Sequence, residues 1–190
     1  MNFTNYSSLC TIIHIKGIYK LGEINIREQL EINQDEFRLK LSALTAQIGL
    51  MNLDVDLEQL LNQDYGVDSI WYQQIKSLCL AGIEQGWLCN REGGGIRYGR
   101  VFKPAEDLAG FSVDVVDMEN IAGPYHMHPL GEIDLIMPID ESALFDQHTA
   151  GWMVTPPGSA HAPTVSNGRA LVLYLLPEGQ IQFTEKILDD

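Results

Sequence analysis

The sequence predicts an α+β protein in which a helical N-terminal unit is followed by an antiparallel β-sandwich or barrel. Two observations support this prediction. Apolar residues recur at helical spacing between residues 33 and 86, and beyond the glycines at 93–95 the chain turns to short apolar stretches separated by turn residues. With 190 residues, 45% of them hydrophobic, the chain can build one domain with a real core, or a domain with a helical appendage.

Three helices are expected in the first part of the chain. The first begins at Asn33, which forms a capping pair with Glu36, and it ends at Gly49. A short second helix lies near residue 60, and a third begins after Asp68 and ends at Gly86. The apolar residues whose spacing predicts these three helices are, in order, Phe37, Leu41, Leu44 and Ile48; Leu57, Leu60 and Leu61; and Ile70, Ile75, Leu78, Cys79 and Ile83.

Seven strands are expected in the second part, at 96–103, 111–118, 125–128, 132–137, 152–155, 170–176 and 181–184. Asn167-Gly168 is the strongest turn signal between them and predicts a hairpin joining the stretches around Val165 and Leu171. Residues 93–95 read as a flexible break. The predicted organisation is a poorly defined extension over 1–30, a helical unit over 31–92 and a β domain over 96–186.

Charge and cysteine content exclude several kinds of partner. The net charge of -14 argues against nucleic acid and against anionic membrane surfaces, since both attract basic patches. The 3 cysteines have no paired spacing, so we expect a reducing compartment rather than a disulfide framework. The apolar stretch 9–15 is a poor signal peptide and no run is long enough to span a membrane, so the cytoplasm is the expected location. A homo-oligomer is left open.

Four residues of metal-ligand type stand close together in the sequence. His126, His128 and Glu132 lie in H-M-H-P-L-G-E, and His161 follows in P-P-G-S-A-H. Residues two apart on a strand face the same way, so His126 and His128 should point into one cavity. Three imidazoles and a carboxylate suit a divalent metal such as iron, manganese, zinc or nickel, whose identity stays open. The alternatives are a metal-free acid/base cluster, or surface and core histidines without a shared role.

Further polar residues are candidates for catalysis and substrate binding. Asp134 alternates with Glu132, so it either orients a ligand or acts as a base, or it is an exposed carboxylate on an edge strand. Arg97 and Arg100 lie in the densest basic stretch, and guanidinium groups bind carboxylates bidentately. Being three residues apart, they point oppositely on a regular strand, so we expect one of them in the cavity. Solvated strand charges are the alternative.

Three aromatic residues, Tyr125, Trp152 and Tyr174, are candidate walls for an aromatic substrate. Aromatic residues on strands are more often buried in the core, and we favour a core position over a role in substrate binding for these three. Asp146 and His148 fall in an expected loop before Gly151, and His148 is expected at the surface.

The two histidine stretches resemble the two cupin motifs, H-x-H followed by glutamate and P-x-G-x-x-H. The flanks depart from the usual pattern: Asn120 stands where the first motif has glycine, Val165 where the second has asparagine, and Gly151 is one residue closer than usual. The four ligand types are undisturbed.

The longer run from Gly123 is similar to the bacterial 4-hydroxylaminobenzoate lyase family. The similar segments are G-P-Y-H-M-H-P-L-G-E-I-D-L-I-M-P, G-W-M-V-T-P-P-G-S-A-H-A-P-T-V and G-R-A-L-V-L-Y-L-L-P-E-G-Q-I. The resemblance implies a cupin-like β-barrel of jelly-roll type. It also implies conversion of 4-hydroxylaminobenzoate, or a related aromatic hydroxylamine acid, to 3,4-dihydroxybenzoate and ammonia. That reaction needs no external electrons, so neither nicotinamide nor flavin is expected.

Two other functions remain open at this point. One is a metal-dependent cupin dioxygenase or isomerase acting on a small organic acid. The other is a non-catalytic protein that binds a small aromatic acid in the barrel.

Overall fold

The computed structural model of the protein describes residues 26–183, and these begin with three helices. They are α1 (Ile26–Ile48), α2 (Val55–Tyr65) and α3 (Ile70–Glu84). The predicted start of α1 at Asn33 is wrong, because helix-forming residues continue upstream and the helix already runs from Ile26. Most of the predicted N-terminal extension lies outside the described residues.

The helix ends follow the local sequence signals. The Asp54 carboxylate accepts hydrogen bonds from the first turn of α2, and the Ser69 hydroxyl accepts one from Tyr72 N of α3. α1 ends before Gly49, as predicted. Ile70 does not lie on the buried side of α3, since it is 78% exposed. It stands five residues before Ile75, which turns it about 140° away around the helix.

Ten strands follow, and they form two sheets. Their bounds are β1 (Arg91–Gly93), β2 (Ile96–Phe102), β3 (Phe111–Ala122), β4 (His126–His128), β5 (Glu132–Pro138), β6 (Leu144–Phe145), β7 (Gly151–Thr155), β8 (Ser159–His161), β9 (Thr164–Pro177) and β10 (Gln182–Phe183). The larger sheet has the order β1-β2-β3-β9-β5-β7, with β6 also paired to β9, and the smaller one has the order β10-β4-β8. All the pairings are antiparallel.

The α+β class with a cupin-like jelly roll is confirmed, but the sheets are open within residues 26–183 rather than closed into a barrel. The predicted hairpin at Asn167-Gly168 is wrong. β9 continues through both residues, which take positive φ values of 62° and 139° inside the strand. There they form a bulge opposite Asn120 of β3, and the Asn120 side chain accepts a hydrogen bond from Gly168 N.

The glycines at 93–95 also have a different role from the one predicted. They connect β1 to β2 as a hairpin, with Gly94 and Gly95 at φ values of 59° and 81° that suit glycine. β1 was missed because three residues carry too little pattern. The domain limits at 30, 92, 96 and 186 stay predictions, and Thr184 of the last predicted strand lies outside the described residues.

The large sheet separates two apolar clusters. One face packs against the helices through residues such as Phe37, Val115 and Leu173, all fully buried. The other face carries a second cluster that includes Met118, Ile136 and Tyr174, and it looks toward the small sheet. Within the described residues no helix is long and apolar enough to cross a lipid bilayer.

Helix α2 also covers one edge of the large sheet. The Asn62 amide accepts a hydrogen bond from Trp152 N (2.9 Å) and donates one to Trp152 O (2.9 Å). The Glu58 carboxylate accepts a hydrogen bond from Val154 N at 2.9 Å. These side chains form hydrogen bonds with backbone groups that the outer strand β7 would otherwise leave exposed. Gly151 is required beside them, since a Cβ there would lie 2.6 Å from the Asn62 oxygen.

Candidate metal centre

The four predicted ligands meet where the small sheet faces β5. His126 and His161 are direct cross-strand partners on β4 and β8, and His128 follows His126 on the same face. The tight turn after β4, in which Gly131 N donates to His128 O, returns the chain so that Glu132 begins β5. One ligand atom from each of the four residues lies within 4.8 Å of all the others.

The atoms of this cluster that could bind a metal ion are buried and have no hydrogen-bond partner. They are His126 Nε2, both ring nitrogens of His128, His161 Nε2 and both carboxylate oxygens of Glu132. Glu132 Oε1 lies 3.1 Å from His128 Nε2, yet without the angles of a hydrogen bond. Buried polar atoms normally have partners, and three imidazole nitrogens with a carboxylate oxygen form a donor set that one divalent ion can bind, which would supply the missing partner. The residues therefore fit a divalent metal ion.

Two of the histidines are oriented by their second ring nitrogen. His126 Nδ1 lies 2.9 Å from Pro124 O, and His161 Nδ1 lies 2.6 Å from Asp146 Oδ2. A carbonyl oxygen accepts a hydrogen bond and cannot donate one, so His126 carries its proton on Nδ1 and turns its Nε2 lone pair toward the cluster. This is the tautomer that a metal ligand needs.

Burial tunes the charge of the histidines. Burial lowers the pKa of His126, and burial together with the charges of the other two histidines lowers the pKa of His128 to about 3. For His161, burial opposes protonation, but the hydrogen bond to Asp146 and the charge of Glu132 outweigh it and raise the pKa. At neutral pH His126 and His128 are therefore neutral and able to bind metal.

Glu132 and Asp134 stand side by side on β5, which is a central strand, and both are fully buried. The edge-strand alternative for Asp134 is therefore wrong. Burial raises the pKa of Glu132 to about 7. Burial, and then the charge of Glu132, raise the pKa of Asp134 well above its usual range. Two buried carboxyls this close together are therefore not both ionised at neutral pH.

A cavity of about 860 Å³ opens beside the cluster, and His126 and His128 line one part of it. Its other walls are mostly apolar, with Ile96, Met118 and Leu176 among them. The volume suits a ligand the size of a substituted benzene ring with room to spare.

Arg100 and Tyr174 also line this cavity and belong to a row of polar residues across the large sheet. Arg100 pairs with Asp114, Asp114 with Tyr174, and Tyr174 with Asp134 in direct cross-strand register. Arg100 Nε donates to Asp114 Oδ1 at 2.9 Å, and its Nη2 donates to Gly179 O at 3.0 Å. The row leads from a guanidinium group in the cavity to the carboxyl beside Glu132.

Three other predicted binding residues do not line the cavity. Arg97 points to the opposite face of the sheet, where Asp117 lies 3.5 Å away. Trp152 is also on the helix side, where its ring packs against Trp71 and its Nε1 donates to Tyr65 O. Tyr125 precedes β4 and is half-buried. For Arg97 and Trp152 the reason is strand alternation, which turns them away from the cavity.

Two residues near the site were missed from the sequence, Asp146 and Asp114. Asp146 meets His161 from 15 positions away, and only because β6 pairs with β9. No local pattern reports that contact. Asp114 had a weak signal, since it alternates with apolar residues on a predicted strand.

Sequence comparisons with known proteins match one family. A family model described as PnbB: 4-hydroxylaminobenzoate lyase matches residues 39–183. A protein from Pseudomonas putida named 4-hydroxylaminobenzoate lyase is 34% identical over 147 residues, covering 68% of this chain and 84% of its own length. One of the same name from Nocardioides sp. (strain LMS-CY) is 36% identical over 137 residues, covering 67% of this chain and 81% of its own.

Among solved structures, a chain from the DMSP lyases RdDddP and RnDddQII aligns with 87% of this chain and 97% of that chain. The TM-score is 0.44 and the sequence identity is 13%.

Proposed function

The chain belongs to the 4-hydroxylaminobenzoate lyase family, and on that premise we propose that it converts 4-hydroxylaminobenzoate, or a related aromatic hydroxylamine acid, to 3,4-dihydroxybenzoate and ammonia. The reaction balances with one water consumed. The N–O bond is the internal oxidant, oxygen enters the neighbouring ring carbon, and hydrolysis of the resulting imine releases ammonia. The observation that carries the proposal is the convergence of four unpartnered ligand atoms beside a largely apolar cavity that also holds Arg100.

His126, His128, Glu132 and His161 are the proposed ligands of one divalent ion, with iron, manganese, zinc and nickel as candidates. When bound, the ion supplies a Lewis acid that polarises the hydroxylamine oxygen or lowers the pKa of a water molecule. The neutral His126 and His128 accept this role without first losing a proton.

The substrate carboxylate is assigned to Arg100. Its side chain faces the cavity, and Asp114 and Gly179 hold its Nε and Nη2 in place. The remaining N–H groups of the guanidinium are available to a carboxylate. A positively charged group at this place offsets the free-energy cost of burying the carboxylate of an aromatic acid among apolar walls.

Tyr174 and Asp134 are assigned to proton handling near the ring. Burial raises the pKa of Tyr174 well above its usual range, so its hydroxyl keeps its proton at neutral pH, and Tyr174 lines the cavity. Asp134 is buried behind the cavity and holds a proton next to Glu132, which limits the charge of the pair.

Purified protein incubated with 4-hydroxylaminobenzoate tests this proposal. We expect 3,4-dihydroxybenzoate and ammonia in equal amounts, with no oxygen consumed. A Glu132→Gln variant is the matched control, because it keeps the shape of the site and removes the ligand charge. Oxygen uptake matched to product would indicate a dioxygenase instead. Tight binding of the acid without turnover would indicate a binding protein, and either result contradicts the proposal.

A further inference from the structure

We propose that Asp146 is a positioning residue that fixes the tautomer of His161 and thereby sets the metal affinity of the site. This inference rests on the metal site proposed above and adds a residue that does not touch the substrate. Asp146 Oδ2 lies 2.6 Å from His161 Nδ1, which is short for a hydrogen bond to nitrogen and typical of a charged acceptor. Holding the proton on Nδ1 leaves the Nε2 lone pair for the metal.

The carboxylate is held rigidly by the start of β9. Asp146 Oδ1 accepts a hydrogen bond from Thr164 N at 2.7 Å, and Asp146 N donates to Thr164 O at 2.9 Å. Each oxygen of the carboxylate therefore has one partner, and the oxygen that faces His161 cannot rotate away without breaking the contact to Thr164.

The turn that carries Asp146 is unfavourable by itself. Phe145 and His148 exchange backbone hydrogen bonds of 2.9 and 2.8 Å around a two-residue turn. Both central residues, Asp146 and Gln147, have positive φ values of 47° and 70°. This turn type favours asparagine, aspartate and glycine, and glutamine is a poor choice for it. A strained backbone that is retained next to a site is consistent with a role at that site.

The three ligand histidines are not equivalent in this respect. His126 donates to a neutral carbonyl, and His128 Nδ1 is buried without a partner. Only His161, within the described cluster, has a carboxylate at its second nitrogen. With Glu132, Asp146 supplies a second negative charge against the two positive charges of a divalent ion.

Two substitutions of Asp146 separate positioning from a merely structural role. In Asp146→Asn the amide oxygen still accepts the Thr164 hydrogen bond, which turns the NH₂ group toward His161 Nδ1. An NH₂ group donates, so it favours the His161 tautomer protonated at Nε2, which cannot bind metal. Asp146→Ala loses the Thr164 contact but imposes no tautomer. Asp140→Asn is the matched control, since the Asp140 carboxylate likewise accepts a backbone hydrogen bond, from Arg169 N at 2.7 Å, but is not among the residues that contact His161.

The experiment titrates the metal-free full chain and its three variants with Co²⁺, following the visible absorption bands and a competing chelator. We expect Asp146→Asn to bind Co²⁺ about 10–100-fold more weakly than the wild type, with altered bands. Asp146→Ala should lose less affinity than Asp146→Asn, and Asp140→Asn should match the wild type. Thermal unfolding of the metal-free proteins should give the opposite order, with Asp146→Ala less stable than Asp146→Asn.

Co²⁺ affinity that falls in the same order as thermal stability would show that Asp146 only holds the turn, and would overturn the inference. Wild-type affinity in Asp146→Asn would overturn it as well, as would a wild-type protein that takes up no Co²⁺. Ammonia release is not part of the measurement. Failure of the proposed reaction is therefore seen separately, and the affinities still decide the role of Asp146.

Discussion

Arg97 and Arg100 lie three residues apart on one strand, and their side chains point to opposite faces of the sheet. Arg97 is on the helix side of the sheet near Asp117, which Arg169 already binds through two nitrogens at 2.7 and 2.9 Å. Arg100 lines the cavity. The sequence predicted that only one of the two would face inward, and strand register identifies it as Arg100.

We predict that Arg100→Ala raises KM for 4-hydroxylaminobenzoate much more than it lowers kcat, because the guanidinium binds a carboxylate that does not react. Losing one charge-assisted hydrogen bond should cost about 1.5–3 kcal/mol, or roughly 10- to 100-fold in KM. Steady-state kinetics measure the effect directly. A double variant, Arg100→Ala with Asp114→Asn, removes the unpaired carboxylate left behind and should show the same KM defect.

Arg97→Ala is the control for this prediction. It should leave KM unchanged and alter the free energy of unfolding by about 0.5 kcal/mol or less, because Asp117 keeps Arg169. If Arg100→Ala keeps the normal KM, or if the uncharged ester reacts as well as the acid, Arg100 does not bind the carboxylate.

At the scale of elements, a local sequence signal can predict a helix end or a turn when that segment alone determines its conformation. It fails when a neighbouring strand determines the conformation instead. The end of α1 before Gly49 depends on a few adjacent residues, and the sequence predicts it. Asn167-Gly168 carries an equally strong turn signal. There, β3 runs on as a partner on both sides, so the positive φ values are absorbed in a bulge.

The edge of β7 gives a prediction at this scale. Asn62→Ala removes two hydrogen bonds to Trp152 and should lower the free energy of unfolding by about 1–2 kcal/mol. The contact lies on the helix side, so kcat should change little. Urea unfolding measures the loss, and Gln63→Ala, at an exposed neighbouring position, should have almost no effect. Equal stability of the two variants would contradict the edge-covering role of Asn62.

For the whole molecule, the sequence predicts the ligand cluster well and its surroundings poorly. Two strand histidines and a glutamate after a tight turn need only local geometry, and His161 joins through one strand pairing. Asp114 and Asp146 become part of the site through the order of strands in the large sheet, which no short stretch encodes. Trp152, a candidate cavity wall, lies on the helix side instead, because strand alternation predicts the two faces of a strand but not which face packs against the helices.

The charge of the whole molecule also bears on the substrate. The chain has a net charge of -14, yet Arg91, Arg100 and Lys103 all line the cavity. An acidic protein that places basic side chains around one cavity favours an anion there over the rest of its surface. This distribution agrees with an aromatic acid as the substrate. The cytoplasmic location and the oligomeric state stay predictions.

Metal removal tests the central claim most directly, since the account places one divalent ion at His126, His128, Glu132 and His161. Protein stripped by a chelator would be analysed for metal and assayed for ammonia release from 4-hydroxylaminobenzoate, before and after one equivalent of each candidate ion is added. We predict about one ion per chain in the active protein, loss of ammonia release on stripping, and recovery with one of the ions. Full ammonia release from protein in which elemental analysis finds no metal would contradict the account and favour a metal-free acid/base cluster.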